Sequence, residues 1–205
     1  MPRDRRCVKN KWIFEIKRNG VFRARLVACG YSQVPGQDFN EVYSPVVHDT
    51  TVRLLLIARM ILKIISILVD VETAFLHGDL KELIYMDCPE GLEHEADECL
   101  LLLKTIYGLV QSAKAFYRKL GDVLKSIGFV QSLADQCLFM RKTNKGLCYV
   151  ALWVDDCLFV GHEQVLNESV KNLENHFKLK IVRDTSDYLS CEIIYNKELL
   201  TTCWV

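Results

Sequence analysis

Three aspartates carry the chemistry this sequence offers. Asp155 and Asp156 stand side by side in the apolar, β-rich run "LWVDDCLFV", and Asp70 closes a second apolar run, "IISILVDV", 85 positions upstream. Burying a charge without a partner costs several kcal/mol, so acids in such runs need a reason. Alone, an Asp-Asp pair at a hairpin tip is more often a turn than a site, because Asp is common in turns. Asp70 changes that balance. Two strand-end acids brought together across a sheet form a hard-oxygen site suited to magnesium or manganese. Two such ions roughly 3.5–4 Å apart stabilise both the attacking and the leaving oxygen in phosphoryl transfer.

The elements that must position these acids are legible in outline. "KWIFEIKRNGVFRARLVACGYSQ" alternates apolar residues with charges around Asn19-Gly20, a hairpin signal. "VPGQDFNEVYSP" is punctuated by Pro35-Gly36 and Ser44-Pro45 and reads as loop. A helix is expected from about Thr50 to Ile61, followed by a β-branched strand ending at Asp70. "SAKAFYRKLGDVLKSIGF" places Phe116, Leu120, Val123, Leu124 and Ile127 on one helical face, with Ser112 as N-cap and Gly128 as stop. "CLFMRK" and "LCYVALWV" read as strands around a Thr143–Gly146 turn, and "CLFVG" as the next strand. A helix carrying Leu166, Val170, Leu173 and Phe177 follows, then the short strands "KLKIV" and "DYLSCEIIY". Helices interleaved with a mostly antiparallel sheet predict an α+β architecture, with helices on one face and the other free to floor a cleft.

Composition narrows the class. Half of the 205 residues are hydrophobic and a quarter are charged, with four prolines, which is ordinary for a globular domain. Nine cysteines include no Cys-x-x-Cys, and no zinc pattern can be assembled from them and the five histidines, so reduced, mostly buried thiols of an intracellular protein are expected. The first 25 residues lack the apolar core of a signal peptide. The longest apolar run, Leu54 to Val69, contains Arg59 and Lys63; it is too short and too charged to span a membrane and reads as a buried helix leading into a strand. No glycine-rich phosphate loop is present. Net charge is zero, yet residues 1–25 carry +7 and the rest −7, a division that suits a polyanion held by one part and a metal by the other, or a solvated surface face.

From about Val8 to Asn196 the sequence resembles the reverse transcriptase of copia-type LTR retrotransposons. Four blocks carry the likeness, in the family's order and spacing: "FRARLVACGYSQVPGQDFNEVYSPVV", "LVDVETAFLHGDLKELIYMDCPEGL", "IYGLVQSAKAFY" and "ALWVDDCLFVG". The resemblance implies a right-hand polymerase fold over residues 8–205. Fingers would be formed by about 8–63 and 81–111, and palm by about 64–80 and 112–196. It implies that Asp70, Asp155 and Asp156 are the palm aspartates, with Asp70, Asp155 and the Val71 carbonyl holding two magnesium or manganese ions and Asp156 in support. It further implies Phe75 as the steric gate that leaves no room for a 2′-hydroxyl, Arg23 and Arg25 as the grip on the triphosphate, and Gln111 as a lining of the nucleotide and template pocket. Plainer readings stand beside these: ordinary core for Phe75, a solvated hairpin face for the arginines, a surface amide for Gln111. Lys180 matches a lysine that protonates the leaving pyrophosphate, with a solvated strand lysine as the plainer reading.

The sequence departs from the family at Cys29 and Val110, where a basic residue is usual, at Trp153 in place of Tyr, and at Ser190 in place of a primer-grip glycine. The chain stops just after the primer-grip region, so a thumb, connection and RNase H part are expected to be missing, and with them the protease and integrase of an intact element. The expected substrates are deoxynucleoside triphosphates and an RNA or DNA template with a primer, and no membrane partner is expected. The expected setting is cytoplasmic, in the virus-like particle of an intact element, or nuclear. Two rivals are a catalytically weak or inactive transposon remnant that only binds nucleic acid, and a metal-dependent nuclease on an unrelated fold.

Overall fold

The run from Ile65 to Val71 is apolar at every position but Ser66 and Asp70, which is the pattern of a strand covered on both faces. It becomes the second strand of a six-stranded sheet. The computed structural model of the protein describes residues 5–17 and 20–182 and, by backbone alone, three short strands beyond them. The expected primer-grip residue Ser190 and the hairpin residue Asn19 lie outside the described residues.

In chain order the elements are β1 (Asn10–Ile16), β2 (Phe22–Ala28), α1 (Asp49–Leu62), β3 (Ile65–Val71), β4 (Tyr85–Met86), β5 (Leu100–Leu101) and α2 (Ser112–Ser126). There follow β6 (Val130–Gln131), β7 (Leu138–Thr143), β8 (Gly146–Trp153), β9 (Asp156–Gly161), α3 (Glu163–Glu174), β10 (Leu179–Val182), β11 (Asp187–Tyr188), β12 (Cys191–Asn196) and β13 (Thr201–Trp204). Short 3-10 turns lie at Gly30–Ser32 and Ala74–His77. The fold is mixed α/β with antiparallel sheets. Among the described residues no helix is long and apolar enough to cross a membrane.

The chain forms two compact units, one of residues 1–44 and 73–119 and one of residues 45–72 and 120–205. The first contains the β1–β2 hairpin, the β4–β5 pair and the start of α2. Val8 joins β4 through a parallel bridge to Met86, and Val8, Ala28, Ile84 and Leu109 make a small core beneath it.

The second unit holds the main sheet, in the order β10-β3-β9-β8-β7-β6. Directly opposed residues on neighbouring strands share a face, and the face alternates along each strand. One face therefore carries Val69, Val71, Cys157, Phe159, Val150, Leu152 and Phe139, all buried. The helices meet this face: Gly121 of α2 lies over the Phe139 ring, and Arg141 of β7 bonds Ser169 and Glu168 of α3. The opposite face carries Lys180, Asp70, Asp156 and Trp153.

Helix ends follow the local chemistry with one exception. Gly128, at φ +96°, stops α2, and its N–H and that of Phe129 donate to the Lys125 and Leu124 carbonyls, closing the last turn. Ser112 does not act as the expected cap; its hydroxyl donates to the Ile106 carbonyl and α2 begins at Ser112 itself. The expectation of a buried α1 is also corrected. Val52, Leu55 and Leu56 are buried, but Leu54, Ile57, Ile61 and Leu62 are exposed, because the helix packs by one side against β8 and β9. The seven cysteines among the described residues are free thiols, four of them buried.

Candidate active site

Asp70 and Asp156 are direct cross-strand partners on β3 and β9. The same row continues outward to Lys180 on β10 and Trp153 on β8, so that four side chains, Lys180, Asp70, Asp156 and Trp153, stand across four strands on one face. Directly opposed residues hold their Cβ atoms roughly 4.5–5.5 Å apart, close enough for two carboxylates to repel strongly. Neither acid is fully buried, and Val69 and Cys157 beside them are fully covered.

Asp155 lies in the two-residue turn between β8 and β9, whose ends pair as Trp153 and Asp156. Its carbonyl accepts the Val71 N–H at 3.1 Å, which ties the turn to the end of β3 one residue beyond Asp70. The other turn residue, Val154, has φ +55°. A β-branched side chain in the left-handed region is a real outlier, and a turn of this kind ordinarily uses glycine there. Thr73, three residues after Asp70, is a second β-branched residue in that region, at φ +54°. Such strain costs about 1–3 kcal/mol per site and collects where a fold fixes functional groups. Thr73 lies two residues past the end of β3 and Val154 two residues before the start of β9, the strands that carry Asp70 and Asp156.

The electrostatics match the geometry. The Asp156 carboxyl is pushed up to about 6 by burial first, then by the charges of Asp155 and Asp70, with Lys180 acting in the opposite direction. Cys157, fully enclosed behind the same acids, has its thiol held protonated by burial and by their charges. Among the described residues no three His, Cys, Asp or Glu side chains are gathered closely enough to enclose a metal ion. The donor set nevertheless fits one: hard carboxylate oxygens with excess negative charge, opposed by the single lysine of the row, are what a divalent cation neutralises.

The remaining expected residues lie in the first unit. Arg23 and Arg25 share one face of β2, where Arg23 directly opposes Glu15 and Arg25 bonds the Glu15 carboxylate at 3.3 Å. The Arg25 guanidinium also lies over the Tyr107 ring, 5.7 Å from its centre. Phe75 is half-buried in the 3-10 turn and meets Tyr107 edge-on, with ring centres 4.7 Å apart. Thr105, completely buried, fixes the backbone there by donating its hydroxyl to the Phe75 carbonyl. Gln111 is buried: its Oε1 accepts from Gln33 Nε2 at 3.0 Å, and its Nε2 donates to the Asp38 carbonyl at 2.8 Å.

Two participants, Tyr107 and Thr105, escaped sequence reasoning, and the place of Lys180 beside the acids was not legible either. Lys180 gains its meaning from register, which places it opposite Asp70. Tyr107 and Thr105 lie 30 or more positions from Phe75, and nothing in local pattern connects them. An aromatic and a threonine just ahead of the apolar helix are ordinary residues until the fold brings them to the turn.

Comparison with known proteins agrees with the geometry. The family model described as reverse transcriptase (RNA-dependent DNA polymerase) matches residues 1–204. The chain is 34% identical over 203 residues to the retrovirus-related Pol polyprotein from transposon TNT 1-94 of Nicotiana tabacum, covering 95% of this chain and 15% of the polyprotein. It is 35% identical over 190 residues to the Pol polyprotein from transposon RE2 of Arabidopsis thaliana, covering 89% and 13%. The transposon Ty1-DR5 Gag-Pol polyprotein of Saccharomyces cerevisiae is 27% identical over 180 residues, covering 87% and 10%. The chain thus spans less than a sixth of the length of these relatives. A matched family model over nearly every residue, with relatives of copia type on both sides of 30% identity, settles the family: this chain belongs to the reverse transcriptases, as the corresponding domain of copia-type transposon Pol polyproteins.

Proposed function

We propose that this chain performs templated DNA synthesis, adding deoxynucleotides to the 3′-hydroxyl of a primer annealed to RNA or DNA. Asp70 and Asp155, with the Val71 carbonyl, would hold two magnesium or manganese ions, and Asp156 would support them. When bound, such ions lower the pKa of the attacking hydroxyl and neutralise charge on the triphosphate. The chain's own part is to fix the carboxylates on two paired strands and the turn beside them, with a mutual repulsion that a bound cation would relieve. The Lys180 ammonium sits in the same row and moderates that repulsion.

In the first unit, Arg25 and Arg23 would take the phosphates through forked guanidinium contacts. Phe75 would exclude the 2′-hydroxyl, and Gln111 would shape the wall of the nucleotide and template pocket. The second unit would be the palm and the first would contribute fingers. Recognition would run through backbone and duplex shape, because a copying enzyme cannot select sequence, and binding would weaken as salt rises.

The observation that carries this function is the direct pairing of Asp70 with Asp156 beside the Val154–Asp155 turn. The test is extension of a labelled primer on an RNA template with magnesium or manganese, set against Asp155→Asn. Extension by the parent and none by the variant supports catalysis. Equal signal from both removes it and leaves a nucleic-acid-binding remnant, and nucleotide release without extension points to a nuclease.

A further inference from the structure

We infer that Tyr107 is a positioning residue for nucleotide selection, bracing Phe75 and Arg25 with one ring. This rests on the roles proposed for those two residues. The contacts all lie within the first unit. The Phe75 ring meets Tyr107 edge-on at 4.7 Å and 69°, and the Arg25 guanidinium lies over the same ring at 5.7 Å.

The backbone around Tyr107 is fixed to both elements it would brace. Its carbonyl accepts the Ala28 N–H at 2.8 Å, three residues beyond Arg25 on β2. Gly108, at φ +90°, lies so close that a Cβ there would run into the Ala28 carbonyl. On the other side, Thr105 donates its N–H to the Gly78 carbonyl at 3.1 Å and its hydroxyl to that of Phe75. Residues 105–107 therefore span from the hairpin to the Phe75 turn.

Each braced side chain needs the support. The Arg25 Nε is buried without a hydrogen-bond partner, so the guanidinium is oriented by Glu15 at its tip and by the Tyr107 face beneath it. An arginine fixed in advance loses less rotamer freedom when it takes a phosphate. Phe75 sits on a single 3-10 turn, and a gate that must tell hydrogen from hydroxyl works only if the ring cannot tilt. Edge-to-face packing restrains that tilt. The ring of Tyr107 supplies both contacts, so a phenylalanine ring is expected to serve in this bracing role.

The test is titration of the full chain with dATP and with ATP, each with magnesium, and single-nucleotide extension in parallel. Tyr107→Leu is expected to weaken dATP binding roughly five- to tenfold, through loss of the aromatic pair and the cation–π contact. ATP loses the same phosphate grip but gains room at the loosened gate, so its binding should weaken less and the preference for the deoxy sugar should narrow; in extension KM should rise with kcat little changed. Tyr107→Phe, which keeps the ring, should match the parent in dATP affinity and in sugar preference. If Tyr107→Leu melts below the assay temperature, Tyr107→Met takes its place. A folded leucine or methionine variant with parental dATP affinity and parental sugar preference overturns the inference alone. A parent that binds neither nucleotide, or a Phe75→Val variant with unchanged sugar preference, overturns the underlying nucleotide-site reading and the inference with it.

Discussion

Asp70 and Asp156 face each other directly across neighbouring antiparallel strands, like charges in a position where sheets ordinarily place attractive or apolar pairs. The arrangement costs stability: the Asp156 carboxyl is raised by burial first, and then by the charges of Asp155 and Asp70. A fold that keeps it must recover the cost through what the pair binds.

The first prediction follows from that repulsion. A carboxyl raised above its unfolded value destabilises the folded chain wherever it is ionised, so removing its charge should stabilise. Asp156→Asn is expected to raise stability by about 1 kcal/mol at neutral pH in a chelator, after discounting the shift for solvent screening. It should also reduce primer extension at least tenfold. Urea denaturation followed by circular dichroism checks the first part; a less stable variant would show that the acids are not in conflict.

Val154 provides a second. Replacing a β-branched residue at φ +55° with glycine relieves backbone strain, partly offset by the freedom glycine gains when unfolded. Val154→Gly should be about 1 kcal/mol more stable, by the difference between those terms, and slower in extension because Asp155 is held less firmly. A shift of the denaturation midpoint to lower urea would contradict the strain.

Stability should also depend on Asp135, which is outside the row formed by Lys180, Asp70, Asp156 and Trp153. Its side chain is 4% exposed; Oδ2 accepts from the Thr51 hydroxyl at 2.7 Å and the His48 N–H at 3.0 Å, and Oδ1 from the Cys137 N–H at 2.9 Å. Burial pushes this carboxyl up, but these bonds and the His48 charge outweigh it, and the net shift is downward. A depressed carboxyl stabilises the fold above its unfolded value, and that contribution is lost as pH falls through its folded value. Asp135→Asn should cost about 2–3 kcal/mol at pH 7, since bonds to an ionised group are lost or weakened. The difference from the parent should shrink once the pH drops below about 3.9, the ordinary aspartate value. Thermal melts of both proteins between pH 7 and pH 3 measure it; a constant difference would refute the ionic part.

Lys180 gives the fourth. It is the one cation of the row, exposed and directly opposite Asp70. Lys180→Met removes the charge that competes with a bound ion, so manganese should bind roughly two- to fivefold more tightly, the scale of a solvent-screened pair. Extension should slow all the same if Lys180 protonates the leaving pyrophosphate, the role the family resemblance implies for it. Weaker manganese binding would mean that Lys180 does not act on the acids.

Much of this fold could be read from local pattern. The helices expected from apolar spacing occur at Asp49–Leu62, Ser112–Ser126 and Glu163–Glu174, and the strand ending at Asp70 and the hairpin around Thr143–Gly146 are where alternation and turn residues put them. Local pattern reads well because side-chain period and turn chemistry act over a few residues. It failed at the start of α2, where Ser112 spends its hydroxyl on the Ile106 carbonyl six residues back, and at the outer side of α1, whose exposed leucines and isoleucines look identical in sequence to buried ones.

By itself, the sequence determined the family and showed Asp70, Asp155 and Asp156 standing in apolar, strand-forming runs, because those are matters of residue type, order and short-range spacing. Tertiary structure alone decided that Asp70 meets Asp156, that Lys180 joins their row, and that Tyr107 lies between Arg25 and Phe75. Register sets the first two: the pairing of Asp70 with Asp156 and with Lys180 puts all three on one face, and a shift of one residue in a strand would turn its side chains to the other. Packing between segments dozens of residues apart sets the third, and no periodicity within either segment encodes it.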